Sequence, residues 1–97
     1  MGKPVRTLEE ALEFKKYMFD RLSAAEIAGL PARDVDNVKL LIDAGEYVVA
    51  LETLTTQIFE LDVALPEGER SELEDLGQRL AVPVPYLLGD PWASKEV

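Results

Sequence analysis

In the first quarter of the chain, apolar residues recur at steps of three and four: Leu8, Ala11, Leu12, Phe14, Met18, Phe19, Leu22 and Ala25. On a wheel of about 100° per residue they fill one arc, interrupted by Lys15 and, near the end, Glu26. This predicts a helix from about Leu8 to Ala25 with the whole arc on the core. Thr7-Leu8-Glu9-Glu10 before it has the form of a capping box, with Thr7 as N-cap and Glu10 reaching back from the third helical position. Lys15 is expected to extend its ammonium to water along its apolar stem. Gly29-Leu30-Pro31 ends the segment.

A shorter apolar pattern follows at Val35, Val38, Leu41 and Ile42, with Gly45 as the residue best able to take a left-handed helix end. Only Glu46 separates it from the next pattern, so the two helices are expected to be neighbours. The third helix shows a seam of Tyr47, Leu51, Leu54, Ile58 and Leu61, widened by Val48 and Phe59, and stops near Leu61 because Asp62 would point into the apolar face. Val63-Ala64-Leu65 reads as an extended connector, and Pro66 opens a fourth helix with the stripe Leu73, Leu76, Gly77 and Leu80. Val82-Pro83-Val84-Pro85 breaks it, since each proline disfavours helix in the residue before it. Tyr86-Leu87-Leu88 is expected to form one turn, with Trp92 in a tail that folds back as a lid.

Alternation with a period of two is nearly absent, so the fold class is all-α: a small single-domain bundle of about four helices with a short C-terminal turn and tail. One domain spans 1–97, with 1–6 and 93–97 expected as flexible ends.

Composition narrows the chemistry. The 97 residues include no cysteine and no histidine, which removes disulfides, thiolate metal sites, cysteine nucleophiles and the usual proton shuttle near neutral pH. No glycine-rich phosphate loop, Gly-x-Ser-x-Gly elbow or calcium-loop spacing occurs; Asp34, Asp36 and Asp43 do not make one. The expectation is a non-enzyme without metal or cofactor. The first apolar stretch is broken by Glu9, Glu10 and Glu13, and no apolar run approaches the roughly 20 residues of a membrane span, so a cytoplasmic location is expected.

Nineteen acids against ten bases give a net charge of −9, unfavourable for binding nucleic acid or an anionic membrane. The imbalance is local. From Leu40 to Gln78 there are ten acids and one base, Arg70, while the rest of the chain holds nine of each. Individually these acids have plain structural readings. Glu67 and Glu69 suit the dipole of a first helical turn, as does Glu46 at the start of the third helix. Glu74 and Asp75 form a solvated face, and Glu52 is within reach of an intramolecular pair with Lys39 or Arg33. Collectively they form a one-signed field of the kind that steers a basic partner. If the third and fourth helices pack side by side, their outer faces form one acidic surface.

Leu41-Ile42-Asp43-Ala44-Gly45-Glu46-Tyr47-Val48-Val49-Ala50-Leu51-Glu52-Thr53-Leu54, then Ile58-Phe59-Glu60, then Val63-Ala64-Leu65-Pro66, resembles the MafI-type immunity proteins. The likeness runs from about Val38 to Leu88, through the Gly-Glu step, the Ala-Leu-Glu-x-Leu core, the Glu after the aromatic at the helix end and the later Glu-Leu-x-x-Leu-Gly. Such proteins are encoded beside secreted polymorphic or contact-dependent toxins, frequently nucleases, and neutralise them in the producing cell. The resemblance implies a cognate toxin domain as partner, with Glu46, Glu52 and Glu60 at the matching polar positions and Asp43 and Asp62 beside them. The charge block adds Glu72, Glu74 and Asp75 as partners for toxin Lys or Arg, and Tyr86 and Trp92 are the expected aromatic anchors, together with Tyr47 if it is exposed. Two other readings share parts of the pattern: a helical adaptor that dimerises through an apolar face, and an acidic mimic of nucleic acid that regulates a DNA-binding protein.

Overall fold

A computed structural model of the chain describes residues 8–95, which form five helices and no strand. They are α1 (Leu8–Ile27), α2 (Ala32–Asp43), α3 (Tyr47–Glu60), α4 (Glu67–Leu80) and α5 (Val84–Leu87). The all-α class and the four principal helices follow the expected pattern. The predicted cap at Thr7 lies outside the described residues. Pro66 precedes the first turn of α4 as anticipated. The last turn starts earlier than Tyr86, at Val84, because Pro85 falls in its first turn, where a missing N–H costs nothing.

All five helices end in a left-handed residue, and five hydrogen bonds of the same type fold the chain back at those points. Gly29, Gly45 and Gly89 take this conformation without a Cβ clash, and Asp62 and Ala81 adopt it with φ of 55° and 59°. The bonds are Leu30 N–H to Ala25 O (2.9 Å), Glu46 N–H to Leu41 O (2.9 Å), Val63 N–H to Ile58 O (3.0 Å), Val82 N–H to Gly77 O (2.8 Å) and Asp90 N–H to Pro85 O (3.1 Å). This is the Schellman pattern. It returns Leu30 and Val82 to the core, where both are buried.

The core joins Met18, Leu22 and Ala25 of α1, Val35, Val38 and Ile42 of α2, Leu51, Leu54 and Ile58 of α3, Leu73 and Leu76 of α4, and Val84 of α5. Helix α2 packs on both α1 and α3, and α5 bridges α3 and α4. Two polar groups enter this interior with partners. Thr55 donates its hydroxyl to Leu51 O at 2.9 Å, and Asp34 accepts from Gln57 Nε2 at 2.8 Å, tying α2 to α3.

Three expectations are corrected. On α1, Leu8 and Leu12 are 75% and 56% exposed, and Ala11 is exposed with them. With 20 residues α1 is about 30 Å long, whereas the 12 residues of α2 reach about 18 Å, so the start of α1 overshoots the core. On α3 the buried arc runs from Ala50 through Leu54, Ile58 and Leu51 to Thr55. Its centre is turned about 30° away from Leu51, which rotates Val48 and Phe59 into solvent, while Leu61 is exposed because it caps the helix beyond its last residue, Glu60. At the tail, Trp92 is 93% exposed and does not close over the body.

Candidate protein-binding surface

The rotation of α3 creates its outer face. Val48, Val49, Glu52, Phe59 and Glu60 are all exposed on one flank of a helix that contains no basic residue. Glu46 precedes the helix and Asp62 follows it, both exposed. None of Glu46, Glu52, Glu60 or Asp62 makes an ion pair among the described residues, so the pair expected for Glu52 with Lys39 or Arg33 is not formed. Acids and apolar groups therefore alternate along this face, the composition that protein interfaces use when charge sets orientation and apolar area sets affinity.

At the C-terminal end of α3 the face opens into a groove of about 350 Å³, bounded by Thr56, Phe59 and Glu60 on one side and Tyr86, Leu87, Gly89, Asp90 and Pro91 on the other. Gly89 is required here. Its φ is +97°, and a Cβ at this position would run into the Phe59 ring. Asp90 fixes the tail by accepting the backbone N–H of Trp92 at 2.9 Å. Lys95 Nζ sits 5.8 Å from the centre of the Tyr86 ring. Glu60 and Tyr86 are thus brought to one place from distant parts of the sequence, and Trp92, which does not line the groove, follows Pro91 in the chain.

The remaining predicted residues lie elsewhere and are largely engaged. Asp43 pairs with Lys15 at 3.4 Å, tying the end of α2 to α1. Glu74 faces Arg70 at 3.7 Å within α4. Asp75 is exposed and makes no ion pair among the described residues. Glu72 belongs to a cluster between α1 and α4, where it accepts a hydrogen bond from the Tyr17 hydroxyl and lies 3.6 Å from Arg21. In that cluster Arg21 Nη1 is 3.0 Å from Glu69 Oε2, and both side chains are 15% exposed. Burial pushes the Glu69 carboxyl above its usual range, and the neighbouring Glu72 and Asp20 push the same way against the pull of Arg21. Burial, and then the bond to Glu72, likewise raises the Tyr17 hydroxyl. Tyr47 stacks edge-to-face on Phe14 with centroids 5.1 Å apart, which makes it a packing residue. Helices α3 and α4 touch only lightly, and α5 packs on both; among the described residues the acids fall into an unpaired set around α3 and a mostly paired set on α4.

Sequence reasoning missed Phe59, Gly89 and Asp90. A signal was present for Phe59, since Val48, Phe59 and Glu52 lie within about 40° on the wheel and the acid marks that flank as wet. For Gly89 and Asp90 no periodic signal exists, because a four-residue helix carries none.

Among the described residues no cluster of Asp or Glu is placed to hold a metal ion, and no helix is long and apolar enough to cross a membrane. The fold and this face define a class: a small helical domain with an acidic, aromatic-edged surface. No family model matches the chain, and no curated protein or solved structure is significantly similar to it.

Proposed function

We propose that this chain is an immunity-type inhibitor that binds a basic toxin domain through the outer face of α3 and the adjoining groove. The observation that carries the reading is the absence of ion pairs among the described residues at Glu46, Glu52, Glu60 and Asp62, while Glu69, Glu72 and Glu74 on α4 are paired within the chain. Unpaired carboxylates retain their full field for an approaching cation, and the interleaved Val48, Val49 and Phe59 supply area that becomes dry on contact. The resemblance to MafI-type proteins supports a secreted toxin, frequently a nuclease, as the partner.

The test is co-expression with the product of the adjacent gene, followed by association kinetics across ionic strength. The association rate is expected to fall by about tenfold or more between low and high salt, and the double variant Glu52→Lys, Glu60→Lys should slow it further. A neighbour that is no toxin and does not bind, or a rate indifferent to salt, overturns the reading.

A second reading has its own observation. Leu8 and Leu12 are exposed at the start of α1, beside a cavity of about 230 Å³ lined by Ala11, Phe14, Tyr47, Arg79 and Leu80. This favours an adaptor that dimerises through α1. Sedimentation of the purified chain separates the two, because a tight dimer abolished by Leu8→Ser with Leu12→Ser belongs to the adaptor reading alone.

A further inference from the structure

We infer that the groove between Phe59 and Tyr86 is a receptor for a single lysine or arginine side chain of the protein partner, and that Lys95 of the chain's own tail is its resting competitor. The inference rests on the proposed protein-binding role of this face and specifies the chemistry that the face recognises.

The walls are aromatic and reachable: Phe59 is 53% exposed and Tyr86 36%. The rim is acidic, with Glu60 on one bank and Asp90 on the other, and among the described residues no basic one lines the groove. A cation on an alkyl stem meets both requirements, laying its methylenes along the rings and its charge between the carboxylates. A neutral apolar side chain would fill the walls and leave the two carboxylates unanswered. An acidic one would be repelled. The volume of about 350 Å³ accommodates one long side chain rather than a helix.

Lys95 shows the same chemistry in miniature. The tail turns at Asp90, whose carboxylate holds the Trp92 N–H and whose carbonyl accepts the Ala93 N–H at 3.2 Å, and this turn delivers the Lys95 ammonium to the Tyr86 ring. An incoming side chain with a cation competes for that ring. Tail release is then part of recognition, and removal of Lys95 should strengthen binding even though it makes an acidic protein more acidic by only one charge.

The probe is a blocked triarginine peptide, titrated into the full chain and followed by amide chemical shifts, with a blocked triglycine peptide as control. Saturable shifts are expected at Thr56, Phe59, Glu60, Tyr86 and Gly89. Lys95→Ala should tighten binding by about two- to fivefold, and Tyr86→Leu should weaken it by a similar factor, the range of one exposed cation–aromatic contact. Glu60→Gln, a surface change remote from the core, should weaken it as well. Shifts spread equally over Glu67, Asp75 and the other free acids overturn the inference, and so does a Lys95→Ala variant that binds no better. Salt-steered toxin binding without groove-specific peptide shifts would leave the immunity reading standing and remove this one. Groove-specific shifts without any toxin complex would do the reverse.

Discussion

Gly77 of α4 leaves the space into which Val84 of α5 packs: a Cβ at position 77 would lie 2.5 Å from Val84 Cγ2 and 2.6 Å from the carbonyl oxygen of Val82. The second contact is the more severe, because backbone cannot step aside as a side-chain methyl can. Gly77→Ala is therefore expected to destabilise the fold by about 1–3 kcal/mol from overpacking, against a gain in helix propensity of about 1 kcal/mol or less. Urea denaturation reads the balance. A stabilised variant would show that α5 moves freely on α4.

Ala81 and Asp62 hold left-handed conformations that their side chains disfavour, with φ of 59° and 55°. Ala81→Gly should raise stability by up to about 1 kcal/mol, which in a domain of this size is a few degrees in Tm. Asp62→Gly should gain less, since Asp tolerates this region better than Ala. If Ala81→Gly loses stability instead, the left-handed end of α4 is not the conformation in solution.

Arg21 and Arg70 each face carboxylates in very different surroundings. Arg21, 15% exposed, is the cation opposite both Glu69 and Glu72, whereas the Arg70–Glu74 pair is about two-fifths exposed and spaced 3.7 Å. Arg21→Met leaves a largely buried carboxylate without its counter-charge and should cost about 2 kcal/mol or more, while Arg70→Met should cost a few tenths of a kcal/mol at about the level of other surface pairs. Equal losses by thermal denaturation would refute the contrast.

Glu69 holds its proton more tightly in the folded chain than in the unfolded one, because burial raises its pKa. Its contribution to stability is consequently greatest below the ordinary glutamate pKa and is lost as pH rises through the raised folded value. Glu69→Gln, which mimics the protonated form, should be more stable than the parent at pH 7, and the difference should vanish below about pH 4. A Glu69 carboxyl whose NMR titration midpoint falls at or below the usual value would contradict the burial argument.

Much of the fold was legible because helices announce themselves locally. The stripes Val35, Val38 and Ile42, then Leu51, Leu54 and Ile58, then Leu73, Leu76 and Gly77 all face the core as their spacing requires, and Gly45 and Pro66 mark their boundaries. Periodicity fixes which side of a helix is apolar to within about one residue's rotation. That tolerance was enough to misplace Phe59, which differs from Glu52 by only about 20° on the wheel. It also says nothing of how far neighbouring helices extend, so the wheel places Leu8 and Leu12 on a core that ends before it reaches them.

By itself the sequence determined the helical class, the approximate extents of the four principal helices and the concentration of acid between Leu40 and Gln78, since all three depend on residues within a few turns of one another. Only the tertiary structure decided which acids are neutralised. Arg21 reaches Glu69 and Glu72 across 48 or more positions of chain, and Lys15 reaches Asp43, whereas among the described residues the acids of α3 pair with no base. The juxtaposition of Phe59 with Tyr86 and Gly89 has the same origin: it exists because α5 packs on α3, and side-chain contacts between elements follow from packing that no local pattern encodes.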